Sequence, residues 1–225
     1  MNFGGFSRGG LEFLSGLAKN NEKTWFEANR KTWETTLLDP ARSFVSTLGD
    51  KLHNEIDPEL TADPRIGGSI FRINRDTRFS KDKSPYKTFF DMVFVSGGGK
   101  APQAPGFFLR IEPDNITLAV GMYDLGETLD SYRKAVDNEA SGTALEDIIR
   151  KATKIKGTEW MGDSYKRVPR GFDPEHPRAD LLKKKGLCAF TSHPVPSAFT
   201  TRKFPDWCLT RFKKFAPLYH WMAEL

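Results

Sequence analysis

The sequence has few residues of the kinds that build disulfide scaffolds or metal centres. It contains two cysteines, Cys188 and Cys208, and four histidines. Two cysteines cannot form a disulfide framework, and neither the cysteines nor the histidines show the spacing of a metal-binding motif. These absences exclude a disulfide-rich secreted protein, and we predict neither a metal ion nor another cofactor.

Long apolar runs are missing as well, because no stretch approaches the roughly 18 residues that a membrane-spanning helix needs. The N-terminal segment MNFGGFSRGGLEFL also lacks the charged and then apolar pattern of a secretory signal. We therefore expect a cytoplasmic protein without a membrane partner. With 225 residues, of which 38% are hydrophobic, the chain has enough apolar material for one domain spanning residues 1–225.

Hydrophobic periodicity predicts helices at both ends of the chain and strands between them. Residues 7–56 have helical spacing, and the sheet region covers residues 66–123. Strand-like segments lie at 69–73, 88–96, 107–112 and 115–123. Residues 126–225 return to helices and loops, with a short edge strand predicted at 190–192. This order predicts an α+β fold, in which an antiparallel sheet of four or more strands is flanked by N-terminal and C-terminal helices.

One segment, residues 71–87, is rich in cations. From Arg65 to Lys87 seven cations meet two acids, an excess equal to the formal net charge of +5 of the whole chain. Arginine offers a planar fork for carboxylate or phosphate, and lysine offers a mobile point charge. We predict that the cations of this first basic segment contact an anion, that its two acids orient the cations, and that its tyrosine donates a hydrogen bond or stacks. The predicted site residues are Arg72, Arg75, Asp76, Arg78, Lys81, Asp82, Tyr86 and Lys87.

A second basic segment, residues 165–178, lies about eighty positions further along the chain. The window from Lys166 to Lys185 contains seven cations and three acids. If the two segments converge, they would form a pocket with cations on both walls; otherwise each is an ordinary solvated face. The residues predicted for this second wall are Tyr165, Lys166, Arg167 and Arg170. His176 is the best candidate for proton transfer, although a helix-capping role at Pro177 is the simpler interpretation.

Several stretches resemble the family of hypothetical proteins catalogued as domain of unknown function 2461. They are residues 20–29, the block FRINRDTRFSKDKSPYKT, the hairpin at 106–109 and 121–123, and the block YKRVPRGF with His176-Pro177. The resemblance covers nearly the whole chain and implies a cytoplasmic member of that family. It implies no reaction, but it suggests that the two basic segments are the shared signature and the first place to seek a function.

Three classes of function remain open. The first is a binding protein or enzyme for a small phosphorylated or carboxylated ligand, which would use a concave pocket with convergent arginines. The second is a nucleic-acid-binding module, which would use an open basic surface with aromatic side chains for stacking. The third is a structural protein whose charges pair with one another, in particular Arg75 and Arg78 with Asp76 and Asp82. The sequence does not decide whether any reaction is catalysed.

Overall fold

The computed structural model describes residues 3–97 and 103–225 of the chain. The α-helices are α1 Arg8–Lys19, α2 Lys23–Trp33, α3 Asp39–Glu55, α4 Leu129–Asp137, α5 Glu139–Thr153, α6 Ala179–Leu182, α7 Phe204–Phe212 and α8 Ala216–Ala223. The strands are β1 Leu60–Thr61, β2 Phe90–Ser96, β3 Gly106–Ile111, β4 Asn115–Met122, β5 Thr158–Met161 and β6 Leu187–Pro194. A π-helical turn, Glu34–Leu38, connects α2 to α3. No helix in these described ranges combines the length and hydrophobicity needed to cross a membrane.

The strands form one antiparallel sheet in the order β1-β2-β3-β4-β6-β5. This arrangement confirms the predicted α+β fold. Side chains alternate along the central strands as a sheet with one buried face requires. Leu109 and Leu118 are fully buried on that face, whereas Arg110 and Thr117 are half-buried on the other.

Two strand predictions were wrong in detail. Residues 69–73 do not form a regular strand, because this part of the chain pairs with its neighbours through isolated bridges such as Ile70–Met92 and Asn74–Tyr86 rather than through a continuous ladder. The predicted edge strand at 190–192 is part of β6, which lies inside the sheet between β4 and β5. The edge position belongs instead to β5, where Thr158 pairs with Thr191.

The glycine run Gly97-Gly98-Gly99-Lys100, which predicts a hairpin tip, falls largely on residues 98–100, outside the described part of the chain. Within that described part, the chain divides into two compact units. Unit 1 comprises residues 1–94, 108–118 and 192–210, and unit 2 comprises residues 95–107, 119–191 and 211–225. The expectation of a single domain stays a prediction, and each unit is described by itself below.

One glycine of unit 2 is required by the close approach of two strands. Gly121, near the end of β4, has a φ of 136°, which lies in the region that favours glycine. A Cβ atom at this position would collide with the backbone carbonyl oxygen of Leu187 in β6. The glycine of the motif Gly121-Met122-Tyr123 is thus explained by the pairing of these strands.

Candidate functional site

The first basic segment is attached to the N-terminal helices of unit 1 by the side chain of Asn21. Its Nδ2 donates to the backbone oxygen of Tyr86 over 2.9 Å, and its Oδ1 accepts from the backbone N–H of Tyr86 over 3.0 Å. The ring of Tyr86 is buried and stacks on Phe26 of α2, with 4.2 Å between ring centroids. The turn between α1 and α2 therefore fixes where the basic segment begins its return to the sheet.

Backbone hydrogen bonds close residues 75–85 into a loop at the end of a short two-stranded stem. The N–H of Lys87 donates to the oxygen of Ile73 over 2.8 Å, and the N–H of Arg75 donates to the oxygen of Pro85 over 2.9 Å. The predicted site residues thus fall into two groups, namely those in the stem and those in the loop.

Arg75 braces the loop from one side through an ion pair with Asp82. Asp82 also accepts hydrogen bonds from the hydroxyl of Ser84, over 2.6 Å, and from its backbone N–H, over 2.9 Å. These bonds to Ser84, followed by the contact with Arg75, hold the pKa of Asp82 well below its usual range. Arg75 therefore already has a carboxylate partner within its own loop.

Arg78 and Asp76 form the second brace. Their contact is a two-point one, with Nη2–Oδ2 at 2.6 Å and Nε–Oδ1 at 3.0 Å. The hydrogen bond from the Arg78 side chain, helped by that from its backbone N–H, lowers the pKa of Asp76 to about 2. Since Arg75 and Arg78 both pair inside the loop, the geometry favours the structural interpretation for these two residues.

The tip of the loop exposes an aromatic ring. Phe79 is 95% exposed, and the guanidinium carbon of Arg78 lies 5.7 Å from its ring centroid. Lys83 donates from Nζ to the backbone oxygen of Thr77 over 2.8 Å, which adds a third brace. Lys81 is exposed and makes no hydrogen bond or ion pair with any residue in the described ranges. The loop is thus held by its own contacts while Phe79 and Lys81 project outward.

Arg72, in the stem, differs from the arginines of the loop. It makes no hydrogen bond or ion pair with a described residue, and it lines a surface pocket of about 580 Å³. Lys23, Asn74 and Tyr86 line the same pocket, together with Trp33, whose indole N–H has no acceptor in the described part of the chain. The pocket therefore combines unpaired donors with aromatic walls. Two acids, Glu27 and Glu34, also line it, and Glu27 pairs with Arg30.

Lys87, also in the stem, is half-buried against aromatic rings. Its Nζ lies 5.1 Å from the ring centroid of Phe71 and 6.0 Å from that of Phe89. The ammonium group makes no hydrogen bond or ion pair with the residues that the structure describes. The faces of aromatic rings attract a cation, but they replace only part of the hydration that the ammonium group loses on burial.

Two residues that the sequence analysis missed complete this cluster. Arg110 of β3 makes a two-point contact with Asp91 of β2, with Nε–Oδ1 at 2.8 Å and Nη2–Oδ2 at 3.1 Å. Asp91 is 5% exposed, and the guanidinium carbon of Arg110 lies 3.7 Å from the ring centroid of Phe89. The carboxylate and the ring together fix the plane of this guanidinium group.

The charges of the cluster do not balance. Burial lowers the pKa of Lys87; the carboxylate of Asp91 opposes this effect, and the positive charges of Arg110 and Arg72 add to it. Two other cations and one carboxylate thus act on Lys87. We call Arg72, Lys87, Asp91 and Arg110 the stem cluster. All four residues belong to unit 1.

The second basic segment lies in unit 2, where Tyr165 holds its start. The backbone N–H of Tyr165 donates to the oxygen of Lys183 over 2.7 Å. Its ring makes cation–π contacts with two side chains, with the Nζ of Lys185 at 4.7 Å and the guanidinium carbon of Arg133 at 5.2 Å from the ring centroid. Tyr165 therefore already stacks with cations of its own unit.

The other predicted residues of this segment, Lys166, Arg167 and Arg170, are exposed. None of them makes an ion pair or hydrogen bond with a residue of the described ranges. Because the two basic segments belong to different units, their convergence stays a prediction.

His176 has a structural environment. Its Nδ1 accepts from the backbone N–H of Arg178 over 2.9 Å, and its Nε2 lies 3.4 Å from Oδ1 of Asp137. Arg178, 5% exposed, donates to the backbone oxygen of Val136 over 2.8 Å and to Glu139 over 2.9 Å. These contacts favour the capping interpretation of His176 over proton transfer, and they make Arg178 the anchor of this segment.

Both cysteines are buried, and burial raises the pKa of the Cys188 thiol to about 12. An acidity this weak leaves Cys188 protonated near neutral pH and agrees with an inert thiol.

In the described ranges, no group of three or more histidine, cysteine, aspartate or glutamate side chains is arranged to hold a metal ion.

Two comparisons with known proteins bear on the identity of the chain. A search of curated proteins found no match. A model of the family described as "Conserved hypothetical protein (DUF2461)" matches residues 10–221, a range that contains both basic segments, Asn21 and the strands that carry Asp91 and Arg110. The chain therefore belongs to the DUF2461 family.

Proposed function

We propose that this protein binds a small phosphorylated or carboxylated molecule at the stem cluster. The observation that carries the proposal is the charge imbalance around the half-buried Lys87. Two cations, Arg72 and Arg110, act on it, and the one carboxylate that acts on it, Asp91, already pairs with Arg110. Cations that are partly removed from water without enough counter-charge raise the free energy of the folded state. A bound anion would supply the missing charge.

The two arginines would play different parts in this binding. Arg110 is held in one plane by Asp91 and Phe89, so it offers a preorganised donor edge. Arg72 lines the pocket and makes no ion pair or hydrogen bond with a described residue, so its fork is available, while the charge of Asp76 acts on it from a distance. The pocket of about 580 Å³ beside Arg72 has room for the remainder of a small molecule.

This proposal narrows the set of binding residues expected from the sequence. Arg72 and Lys87 remain the central cations, whereas Arg75 and Arg78 would shape the loop through Asp82 and Asp76. Tyr86 would contribute a pocket wall. A cytoplasmic location is part of the same proposal, supported by the scarcity of cysteine.

The test is stabilisation by oxyanions. Phosphate and sulfate should raise the melting temperature of the native chain beyond the effect of chloride at matched ionic strength. A ligand at ten times its Kd stabilises by about 1.4 kcal/mol. Arg72→Ala and Lys87→Met should abolish the increase, whereas Lys81→Ala, which removes an exposed cation of the same segment, should preserve it. An equal response in all four proteins, or no response in the native chain, would contradict the proposal.

Single-stranded nucleic acid is a second candidate ligand, favoured by one observation. Phe79 is almost fully exposed on a braced loop between Arg78 and Lys81, and such a ring can stack on a base while cations contact phosphates. Binding of a fluorescent oligonucleotide should then weaken with salt by a log–log slope of roughly −0.7 per phosphate contact. Phe79→Ala should reduce the affinity without changing that slope. Unchanged affinity in Phe79→Ala would remove this candidate.

A further inference from the structure

The amine of Lys87 has surroundings that set it apart from the other cations of the first basic segment. It lies against the rings of Phe71 and Phe89, whereas Lys81 projects into solvent and Lys83 donates to a backbone oxygen. Lys87 is half-buried rather than enclosed, so a small molecule can reach it.

The neighbouring acid is not positioned to hold Lys87 as an ammonium ion. Both carboxylate oxygens of Asp91 accept from Arg110, over 2.8 and 3.1 Å. The other charged groups that act on Lys87 are Arg110 itself and Arg72, and both are positive. Burial and these two cations favour loss of a proton, while the charge of Asp91 alone opposes it.

A lysine that is desolvated and lies next to other cations is one kind of activated amine nucleophile. We propose that Lys87 forms an imine with a small carbonyl compound that carries a carboxylate or phosphate group. This inference rests on the proposed function, because the anionic group of the compound would bind to Arg72 and Arg110. It adds the class of substrate, an aldehyde or keto acid, and the atom that reacts.

The step balances without a cofactor. The neutral amine of Lys87 attacks the carbonyl carbon, a C–N bond forms, and the carbonyl oxygen takes up the proton that leaves the nitrogen. The resulting carbinolamine loses its hydroxyl group and the remaining N–H proton together as water, and the nitrogen electron pair forms the C=N bond to the lysine. Arg72 and Arg110 would hold the compound next to the amine, which lowers the entropy cost of the encounter.

Reductive trapping tests the inference directly. The native chain is incubated near neutral pH with glyoxylate and cyanoborohydride, digested, and mapped by mass spectrometry. We expect the carboxymethyl adduct to form mainly on Lys87, with much less on Lys81 and Lys83. Inorganic phosphate should compete with glyoxylate, and propionaldehyde, which has no anionic group, should show a smaller preference for Lys87 that phosphate does not reduce. Glyoxylate adducts spread evenly over the three lysines, or a glyoxylate preference that phosphate does not reduce, would overturn the inference.

Lys87→Arg separates this inference from the function on which it rests. The variant keeps a cation in the stem cluster but removes the primary amine. It should still be stabilised by phosphate, and it should lose the dominant glyoxylate adduct. If the native chain is stabilised by phosphate but Lys87 is not preferentially trapped, anion binding stands and the imine is wrong. If phosphate gives no stabilisation and Lys87 is still not trapped, both proposals are wrong.

Discussion

Asn21 supplies both hydrogen bonds that a neighbouring strand would otherwise give to the backbone of Tyr86, although the two residues are 65 positions apart. One amide side chain can do this because it carries a donor and an acceptor side by side. The relationship fixes the turn before α2 to the end of the first basic segment.

Asn21→Ala should destabilise the protein. It removes two partly buried hydrogen bonds, and each typically contributes about 0.5–1.5 kcal/mol, so we expect a loss of about 1–3 kcal/mol. Urea denaturation measures the change. Asn20→Ala is the matched control, because the Asn20 side chain donates only to Gly16 at an exposed position. Equal losses in the two variants would contradict the anchoring role of Asn21.

Arg110→Ala should lower the stability of the fold more than Asn21→Ala, because it leaves the buried carboxylate of Asp91 without its ion-pair partner. Breaking a buried ion pair costs about 3–5 kcal/mol, and we expect a value near the lower limit because the Arg110 side chain is 32% exposed. Arg150→Ala removes an arginine of an exposed pair with Asp147 and should have little effect. A comparable small effect of Arg110→Ala would show that Asp91 is adequately solvated without Arg110.

The pairing of Asp76 with Arg78 predicts a pH dependence in the acid range. The folded pKa, about 2, lies below the usual value near 3.9, so the charged form is favoured by folding. Any stability gained is therefore complete above about pH 4 and is lost as the pH falls through about 2. The difference in melting temperature between the native chain and Asp76→Asn should be small, because the pair is exposed, and should vanish at low pH. A difference that grew on acidification would contradict this assignment.

Lys87 should contribute a penalty to stability rather than a gain, although stability again rises with pH. Its folded pKa is lowered, so the unfolded chain binds more protons between the folded pKa and the ordinary value near 10.5. The penalty for burying the ammonium is complete below the folded pKa and decreases as the pH rises through it. Lys87→Met should therefore be at least as stable as the native chain at pH 7 and should lose this advantage at alkaline pH. A native chain that is more stable than Lys87→Met at pH 7 without added anion would show that the amine is well compensated.

Local patterns were sufficient for much of the fold. Helical spacing located α1, α2 and α3, and the two strand-like segments at 107–112 and 115–123 located β3, β4 and the turn between them. The position of β6 could not be read locally, because it depends on pairing with β4 and β5, which are distant in sequence. The sequence of a single apolar strand does not indicate which strands will pair with it in the sheet.

The candidate site was only partly predictable for a similar reason. The basic composition of the segment identified Arg72 and Lys87, but composition could not show that Arg75 and Arg78 find partners inside the loop. Asp91 and Arg110 were missed because each looks like a polar residue on the solvent side of a strand. The available signal was a charged residue two positions after a phenylalanine in both strands, which places charge and ring on the same face.

The internal braces of residues 75–85 also affect how the chain meets a protease. The loop presents four bonds of the type that trypsin cleaves, after Arg75, Arg78, Lys81 and Lys83. A protease needs its substrate in an extended conformation, whereas this loop is closed by the Arg75–Asp82 and Arg78–Asp76 pairs. Cleavage must therefore wait for local opening, and its rate reports how often the loop opens. The most basic and exposed loop of unit 1 should thus survive limited digestion better than its composition suggests.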